Sequence, residues 1–361
     1  MIQKYVDLDS GSDSNGGTSG APYLTLQHAI EQHSSLSGTE FLIRGSVSNQ
    51  LALDFTIGNI PTETNPLVLR DWPGNPRPSI DFGTDQTFQT DSSTVSVTSQ
   101  NIDYSFRGAY STNILNLSNS STGIGFRGCT LDSTGITTQG NSGFLVGTEG
   151  HMIDCHLKIG ICSGTIVSSG SFISGCLIES SQTQSGITMH GASSAIGNII
   201  VLQSGIGFAG ISVSSASNQK IIDNIVVCPP GGTGTGIRIS STSRRNIVIS
   251  GNYVEGYPTN FLISATGLPS FSNNISVNPG STHFNSPTGK YIDPTNVELS
   301  SASDSLLTGG AVLPLLGLTF TSGLAYPELA KNTGDIVYVE NRRLITRAPD
   351  QIEDIKLVIE F

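Results

Sequence analysis

Apolar residues recur along this chain in short bursts separated by Gly, Ser, Thr and Asn, and the bursts line up when the sequence is laid against itself. The phrases "FRGAYSTN" (106–113) and "FRGCTLDS" (126–133) are near copies at a distance of 20 residues. Extending that alignment gives a column of small or polar residues, Ala109, Cys129, Cys155, Cys176, Asn198, Asn224, Asn252 and Asn274, at steps of 20 to 28 residues. Three positions earlier runs an apolar column, Phe106, Phe126, Met152, Ile173, Ala195, Ile221, Ile249 and Phe271; two positions later runs another, largely Leu, Ile and Val, from Leu131 to Val254. A further column passes through Phe144, Ile166, Ile187, Ile211, Ile237 and Phe261. Each repeat therefore predicts at least two short strands.

Repeats of this length cannot bury an apolar face alone and must stack on their neighbours, which predicts a solenoid. Leucine-rich repeats share the period but need a dense leucine framework, which is absent here. The pattern fits a parallel β-helix, in which equivalent residues of successive coils lie about 4.8 Å apart and alignment columns become ladders in space. A corner Asn is expected to tolerate the left-handed conformation and to hydrogen-bond along its ladder, while Ala and Cys fill the same slot as small apolar residues.

The two ends read differently. Pro22 followed by "LTLQHAI" predicts a short amphipathic helix after a Gly/Ser loop, and Trp72–Pro73–Gly74 marks a turn between two extended pieces. The repeats stop near Asn278, and the last thirty residues alternate apolar and polar side chains while gathering charge at Arg342, Arg343, Arg347, Asp350, Glu353 and Asp354. The expected organisation is an N-terminal cap at 1–40, a β-helix at 41–278 and a small β-rich attachment and oligomerisation domain at 279–361.

Composition narrows the function. Only 12% of the 361 residues are charged, the formal net charge is −11 and the pI is about 4.9, so the molecular field repels polyanions and nucleic acid is not an expected partner. No run of about 18 apolar residues predicts a membrane span, and the opening "MIQKYVDLDSGSDSN" has no apolar core of a signal peptide. Five cysteines without a CxxC pair predict packed free thiols and no zinc site.

The opening "YVDLDSGSDSNGGTSGAPYLTLQHAI" together with "VLRDWPGNPRPSID" resembles the pectin-lyase-like, right-handed parallel β-helix proteins, which include polysaccharide lyases and bacteriophage tailspikes. The resemblance covers roughly 5–277 and implies an all-β fold with a capping helix at its bottom. The ending "YVENRRLITRAPDQIEDIKLVIEF" is similar to the C-terminal ends of contractile-phage tail and baseplate structural proteins. Together these imply a virion component assembled in the host cytoplasm, a homotrimer attached to other virion proteins through its charged C-terminal residues, acting as a rigid spacer or a host-glycan adhesin. No cofactor is expected of such a protein.

Lyases of this fold imply instead a base, an anion-stabilising Arg and often a calcium ion on one outward face. Placing charges by the alignment gives Lys158 or His156 as base and Arg127 as anion stabiliser, with Arg107 stacked on Arg127. Asp132, Lys158 and Glu179 form an alternating-sign row, and Asp154 lies nearby. Arg107, Arg127, Asp132, Asp154 and Glu179 are the candidate ligand-binding set, but the preferred reading of the Asp132, Lys158 and Glu179 row is an ion ladder on a solvated face. "TSRRNIVISGNYVEG" (242–256) and His190 are weaker candidates for chemistry.

Overall fold

The structure, a computed structural model, describes residues 1–277 apart from 34–35, 52, 54, 56–65, 85–87, 91–95, 109–114, 118–124, 138–142, 148, 162–163, 168, 181–184, 203–208, 216–217, 229–232, 241–245, 265–269 and 273. Beyond these it describes the strands Thr282–Asn285, Val297–Ser300, Ile336–Glu340 and Arg343–Arg347. The fold is all-β, a right-handed parallel β-helix, and the chain divides into two compact units, 1–172 and 173–361.

In the first unit, successive coils contribute one strand to each of three parallel sheets. The first sheet runs Ile2–Asp7, Thr39–Arg44, Leu67–Asp71, Val97–Gln100, Gly125–Arg127 and His151–Ile153. The second runs Ser46–Gln50, Ser79–Phe82, Asp103–Gly108, Thr130–Ile136 and His156–Ile159, and the third Phe88–Thr90, Leu115–Leu117, Phe144–Val146 and Thr165–Val167. Inward positions alternate with outward ones, and the core is a stack of like residues. Phe126 lies beside Met152, Leu131 beside Leu157, and the Phe82 and Phe106 rings stack 5.0 Å apart. The helix Leu26–Glu31, N-capped by the Thr25 side chain, buries Leu26, Ala29 and Ile30 as expected.

The second unit repeats the plan, with first-sheet strands Ser194–Ile196, Lys220–Ile222, Val248–Ser250 and Ser270–Ser272. Its interior corner is an asparagine ladder. The main-chain N–H groups of Cys176, Asn198, Asn224 and Asn252 each donate to the Oδ1 of the next rung, Asn198, Asn224, Asn252 and Asn274, at 3.0 Å. The amide nitrogens of Asn198, Asn224 and Asn252 donate to the same Oδ1 atoms at 2.9 Å, so fully buried amides are satisfied without water. In the first unit Cys129 and Cys155 fill the slot, free and buried, and burial raises the Cys129 thiol to about 12.

Two expectations about this corner change. The left-handed residue is the one before the ladder residue: Asn101, Gly128 and Asp154 in the first unit, and Gly175, Gly197, Asp223 and Gly251 in the second, with φ between 53° and 69°. The ladder Asn must aim its amide inward, so its predecessor makes the backbone reversal, using residue types that tolerate that conformation. The 20-residue copy is also a false repeat. Phe126 pairs with Ser99 on the first sheet, whereas Phe106 lies on the second sheet beside Phe82, so the corner residue preceding Cys129 in its ladder is Ile102, not Ala109. On the third sheet, Phe144 pairs with Thr165, one residue ahead of the expected Ile166.

The second unit also contains a glycine column the alternation did not reveal. A Cβ on Gly186 would fall 2.7 Å from Ile200 Cγ2, and Cβ atoms on Gly210 and Gly236 would overlap Val226 Cγ1 and Val254 Cγ1. The third sheet can close on the β-branched row of the second only because these positions lack side chains.

At the N-terminal end, Asp7 and Asp13 of the acidic loop are held by structural hydrogen bonds. Asp13 accepts from the N–H groups of Leu24 and Thr25 at 3.0 and 2.9 Å, holding the helix start. Asp7 accepts from Ser10 Oγ at 2.6 Å and from Arg44 Nη2 at 2.7 Å, and Arg44 lies over the Trp72 ring at 4.3 Å. Burial alone would raise the Asp7 carboxyl, but the hydrogen bonds from Ser10 and Arg44 outweigh it and lower the group from 3.8 to about 2.

Beyond 278, Thr282–Asn285 and Val297–Ser300 pair in parallel with Thr259–Ile263 and Asn274–Val277 and so continue the third and second sheets, while Ile336–Glu340 pairs antiparallel with Arg343–Arg347. Arg342, Asp350, Glu353 and Asp354 lie outside the described residues, as do Cys162, Arg244, Arg245 and Tyr110.

Three outcomes test this account of stability. Asn224→Ala removes a side chain that serves two neighbouring rungs and is expected to cost about 3 kcal/mol or more in urea unfolding, because buried donors and acceptors lose their partners. Gly210→Ala is expected to lower the melting temperature despite adding only a methyl group. Because Asp7 is depressed in the folded state, its contribution is complete above about pH 4 and is lost as pH falls through about 2. Asp7→Asn should therefore remove about 2 kcal/mol at neutral pH and flatten the acid limb of the stability curve.

Candidate functional site

The outward rows of the second sheet in the first unit hold a concentration of paired charges. Strand register places Ser79, Asp103, Thr130 and His156 in one row, and Asp81, Ser105, Asp132 and Lys158 in the next. Alternation puts these residues outside because Ile80, Tyr104, Leu131 and Leu157 between them point into the core. Three carboxylates each meet a cation: Asp81 with Arg107 at 3.0 Å, Asp103 with Arg77 at 2.8 Å and Asp132 with Lys158 at 3.7 Å.

Secondary contacts hold these groups in place. Ser105 Oγ donates to Asp81 at 3.2 Å, and Arg107 also donates to Asn49 Oδ1 at 2.6 Å. Asp132 accepts from the Thr134 N–H and hydroxyl at 2.9 and 2.6 Å, and Arg77 donates to the Gly128 carbonyl. The result is a mosaic of fixed carboxylate acceptors and guanidinium or ammonium donors repeating at the strand spacing of about 4.8 Å.

The sequence alignment brought Asp132 and Lys158 together correctly. Arg127 is placed elsewhere: it stands on the first sheet between Gln100 and Ile153, while Arg107 stands on the second beside Gly135. The two arginines therefore do not stack, contrary to the expectation drawn from the false repeat. Asp154 is the left-handed corner residue of its coil. Glu179 lies in the second unit, where it pairs in register with Val201. His151 stacks on Phe172 at 5.6 Å with the rings 14° from parallel, and burial, then the Arg127 charge, lowers its affinity for a proton.

The residues missed by sequence are Arg77 and Asp81. Both become visible only once the loops between strands are counted out and the register is known. Tyr104, Tyr253 and Tyr257 are buried and unavailable for stacking on a ligand. The carboxylates on the face are each spent on a cation, and no group of three or more His, Cys, Asp or Glu among the described residues could hold a metal ion.

In the second unit the equivalent outward rows carry a different chemistry. Ile199, Ile225, Tyr253 and Ile275 occupy one, and Val201, Val227 and Glu255 the other, all of them buried. Glu255 accepts a hydrogen bond from Tyr253 Oη at 2.7 Å. The unbroken apolar runs "NIIVL" and "NIVVC" carried this signal, because a strand buried on both faces does not alternate. On the third sheet of this unit, Thr188, Ser212, Arg238 and Leu262 form an outward row, and the buried Nε of Arg238 has no hydrogen-bond partner among the described residues.

No protein-family model matches the chain, and no curated protein matches it. Among solved structures it is similar to a rhamnogalacturonan lyase at 14% identity and a TM-score of 0.44, over 84% of this chain and 88% of that one. It is also similar to a GH136 lacto-N-biosidase from Eubacterium ramulus, at 11% identity and a TM-score of 0.45, over 83% of this chain and 68% of that one. A third, pectate lyase Pel9A, matches at 14% identity and a TM-score of 0.41, over 76% of this chain and 79% of that one. The coil-by-coil topology, with one strand per coil in each of three parallel sheets and stacked corner residues, is that of a right-handed parallel β-helix.

The Arg77–Asp103 pair is 40% exposed on both sides, so Asp103→Asn is expected to change unfolding free energy by less than about 1 kcal/mol. Equilibrium urea unfolding measures this, and a larger loss would make the pair a structural element.

Proposed function

We propose that this protein is a glycan-binding β-helix of the tailspike-like or baseplate-associated kind, carried on a bacteriophage particle. On this reading it binds a host-surface polysaccharide through the outward second-sheet face of its first unit. The observation that carries the binding half of this reading is the pre-paired array Asp81–Arg107, Asp103–Arg77 and Asp132–Lys158. Sugar hydroxyls both donate and accept, so a surface alternating fixed acceptors with fixed donors suits them better than a surface of one sign. Fixing both partners in advance lowers the ordering cost of binding.

The same array favours binding over cleavage. A substrate carboxylate approaching Lys158 competes with Asp132, and the Arg127 that a lyase site would need beside it stands on another sheet. The virion half of the reading, with a homotrimer, attachment to other virion proteins and location on the particle, rests on the resemblance of the N-terminal and C-terminal sequences. Arg343 and Arg347 are its attachment candidates on the described strand, together with Arg342, Asp350, Glu353 and Asp354 beyond it.

Binding of the full-length protein to a panel of bacterial surface polysaccharides, with ultraviolet absorbance followed in the same samples, tests this reading. Retention of at least one polysaccharide, no growth of unsaturated product, and a loss of about tenfold or more in affinity for Arg107→Ala and Asp132→Ala are the expected results. Rising absorbance that disappears in Lys158→Ala would make the protein a lyase. Charge reversal at Arg343 and Arg347 is expected to lower the oligomer mass seen by mass photometry; an unchanged mass would remove those residues from the attachment role.

A further inference from the structure

At the N-terminal end of the first unit a cleft of about 330 Å³ opens between three loops. Its walls are Asp7, Asp9 and Ser10 from the cap, Arg44, Gly45 and Ser46 from the first corner, and Asn75, Pro76 and Arg77 from the second. Later corners in this unit reverse the chain within two residues, as at Gly128–Cys129 and Asp154–Cys155. The corner between Leu67–Asp71 and Ser79–Phe82 instead detours through "WPGNPRP". Three prolines and Gly74 at φ 80° set its path, and Asn75 N–H closes it on the Trp72 carbonyl at 3.1 Å. The detour stands the loop off from the corner below, and the gap between them is the cleft.

The polar groups in the cleft are only partly used by the protein. Asp9 Oδ1 accepts the Ser46 N–H at 3.0 Å, while Oδ2 has no hydrogen-bond partner among the described residues. Gly45 permits this approach, because a Cβ there would lie 2.6 Å from Asp9 Oδ2. Arg44 spends Nε and Nη2 on Asp7 at 3.0 and 2.7 Å, leaving Nη1 with one long contact of 3.4 Å to Asn75 Oδ1. Arg77 spends Nε on Asp103 at 2.8 Å and Nη2 on the Gly128 carbonyl.

Donors from two guanidinium groups thus face a carboxylate acceptor across a space at the small end of ligand pockets. Both arginines are already neutralised by Asp7 and Asp103, so Asp9 leaves the cleft slightly acidic and unfavourable to an anion. Through Arg77, the cleft is joined to Asp103 and hence to the row Asp103, Thr130 and His156 of the proposed binding face.

We propose that this cleft is the end subsite of the glycan-binding face and takes a single neutral pyranose unit, the terminal sugar of the polymer. Vicinal hydroxyls of that unit would donate to Asp9 Oδ2 and accept from Arg44 Nη1 and the free end of Arg77, with the cap loop stopping the chain from running further. The rest of the glycan then follows the outward rows along the direction in which the coils stack. This inference rests on the glycan-binding reading above.

Titration calorimetry on the full chain tests it, using neutral oligosaccharides of two to six units released from whichever surface polysaccharide the protein retains. Galacturonate oligomers of the same lengths serve as the acidic comparison, and melting temperatures check folding. Asp9→Asn, which keeps the acceptor for Ser46, and Ser46→Tyr, which fills the space, are each expected to raise the Kd for neutral oligomers about tenfold or more without changing the melting temperature. If the oligomers bind and both variants bind as tightly as the wild type while Asp132→Ala does not, the cleft assignment is overturned and the binding face stands. Preference for galacturonate oligomers at this site overturns the neutral-sugar assignment. If no polysaccharide is retained by the wild type at all, the glycan-binding reading fails and takes the cleft with it.

Discussion

The structure depends on one constraint: each coil turns its corner by leaving main-chain groups that only the next coil can satisfy. A residue in the left-handed conformation reverses the chain, and the residue after it either sends an amide along the ladder, as the asparagines do, or fills the space with an apolar side chain or sulfur, as Ile102, Cys129 and Cys155 do. From Asn198 to Asn274 the ladder is a continuous chain of buried hydrogen bonds at 2.9 to 3.0 Å. Once that corner is fixed, the strands on either side are held in register, and register decides which side chains form rows inside and outside.

Rows are what make a solenoid surface chemically useful. In the first unit the outward second-sheet face carries acids and bases in matched pairs, whereas in the second unit the rows Ile199, Ile225, Tyr253, Ile275 and Val201, Val227, Glu255 are buried and, Glu255 aside, apolar or aromatic. The same strand arrangement thus carries an ion-paired polar face in one unit and a mostly apolar buried layer in the other. The difference lies entirely in the residues one and three places after the corner.

Much of the fold was legible because ladder residues repeat in type. The Cys and Asn column, the Phe126 to Phe271 column and the capping helix all emerge from spacing alone. The first coils were harder to read because their ladder positions, such as Ile102, carry no Asn or Cys and one of their corners contains the proline-bound detour. A chance copy of "FRG" then captured the alignment and displaced Arg107 onto the wrong sheet. That single slip hid the Asp81–Arg107 pair and suggested a contact between Arg107 and Arg127 that register forbids. Asp132 and Lys158, which lie after well-marked Cys corners, were placed correctly. Arg77 was invisible because its partner, Asp103, is brought to it by stacking and not by any sequence spacing.

Hydrogen–deuterium exchange on the full-length protein, with and without a retained surface polysaccharide, tests the location of binding most directly. The account predicts slowed exchange confined to the loop around Asn75 and the strands Asp103–Gly108, Thr130–Ile136 and His156–Ile159. Protection centred instead on the outward row Thr188, Ser212 and Arg238 would contradict it, and would move the functional site to the third sheet of the second unit.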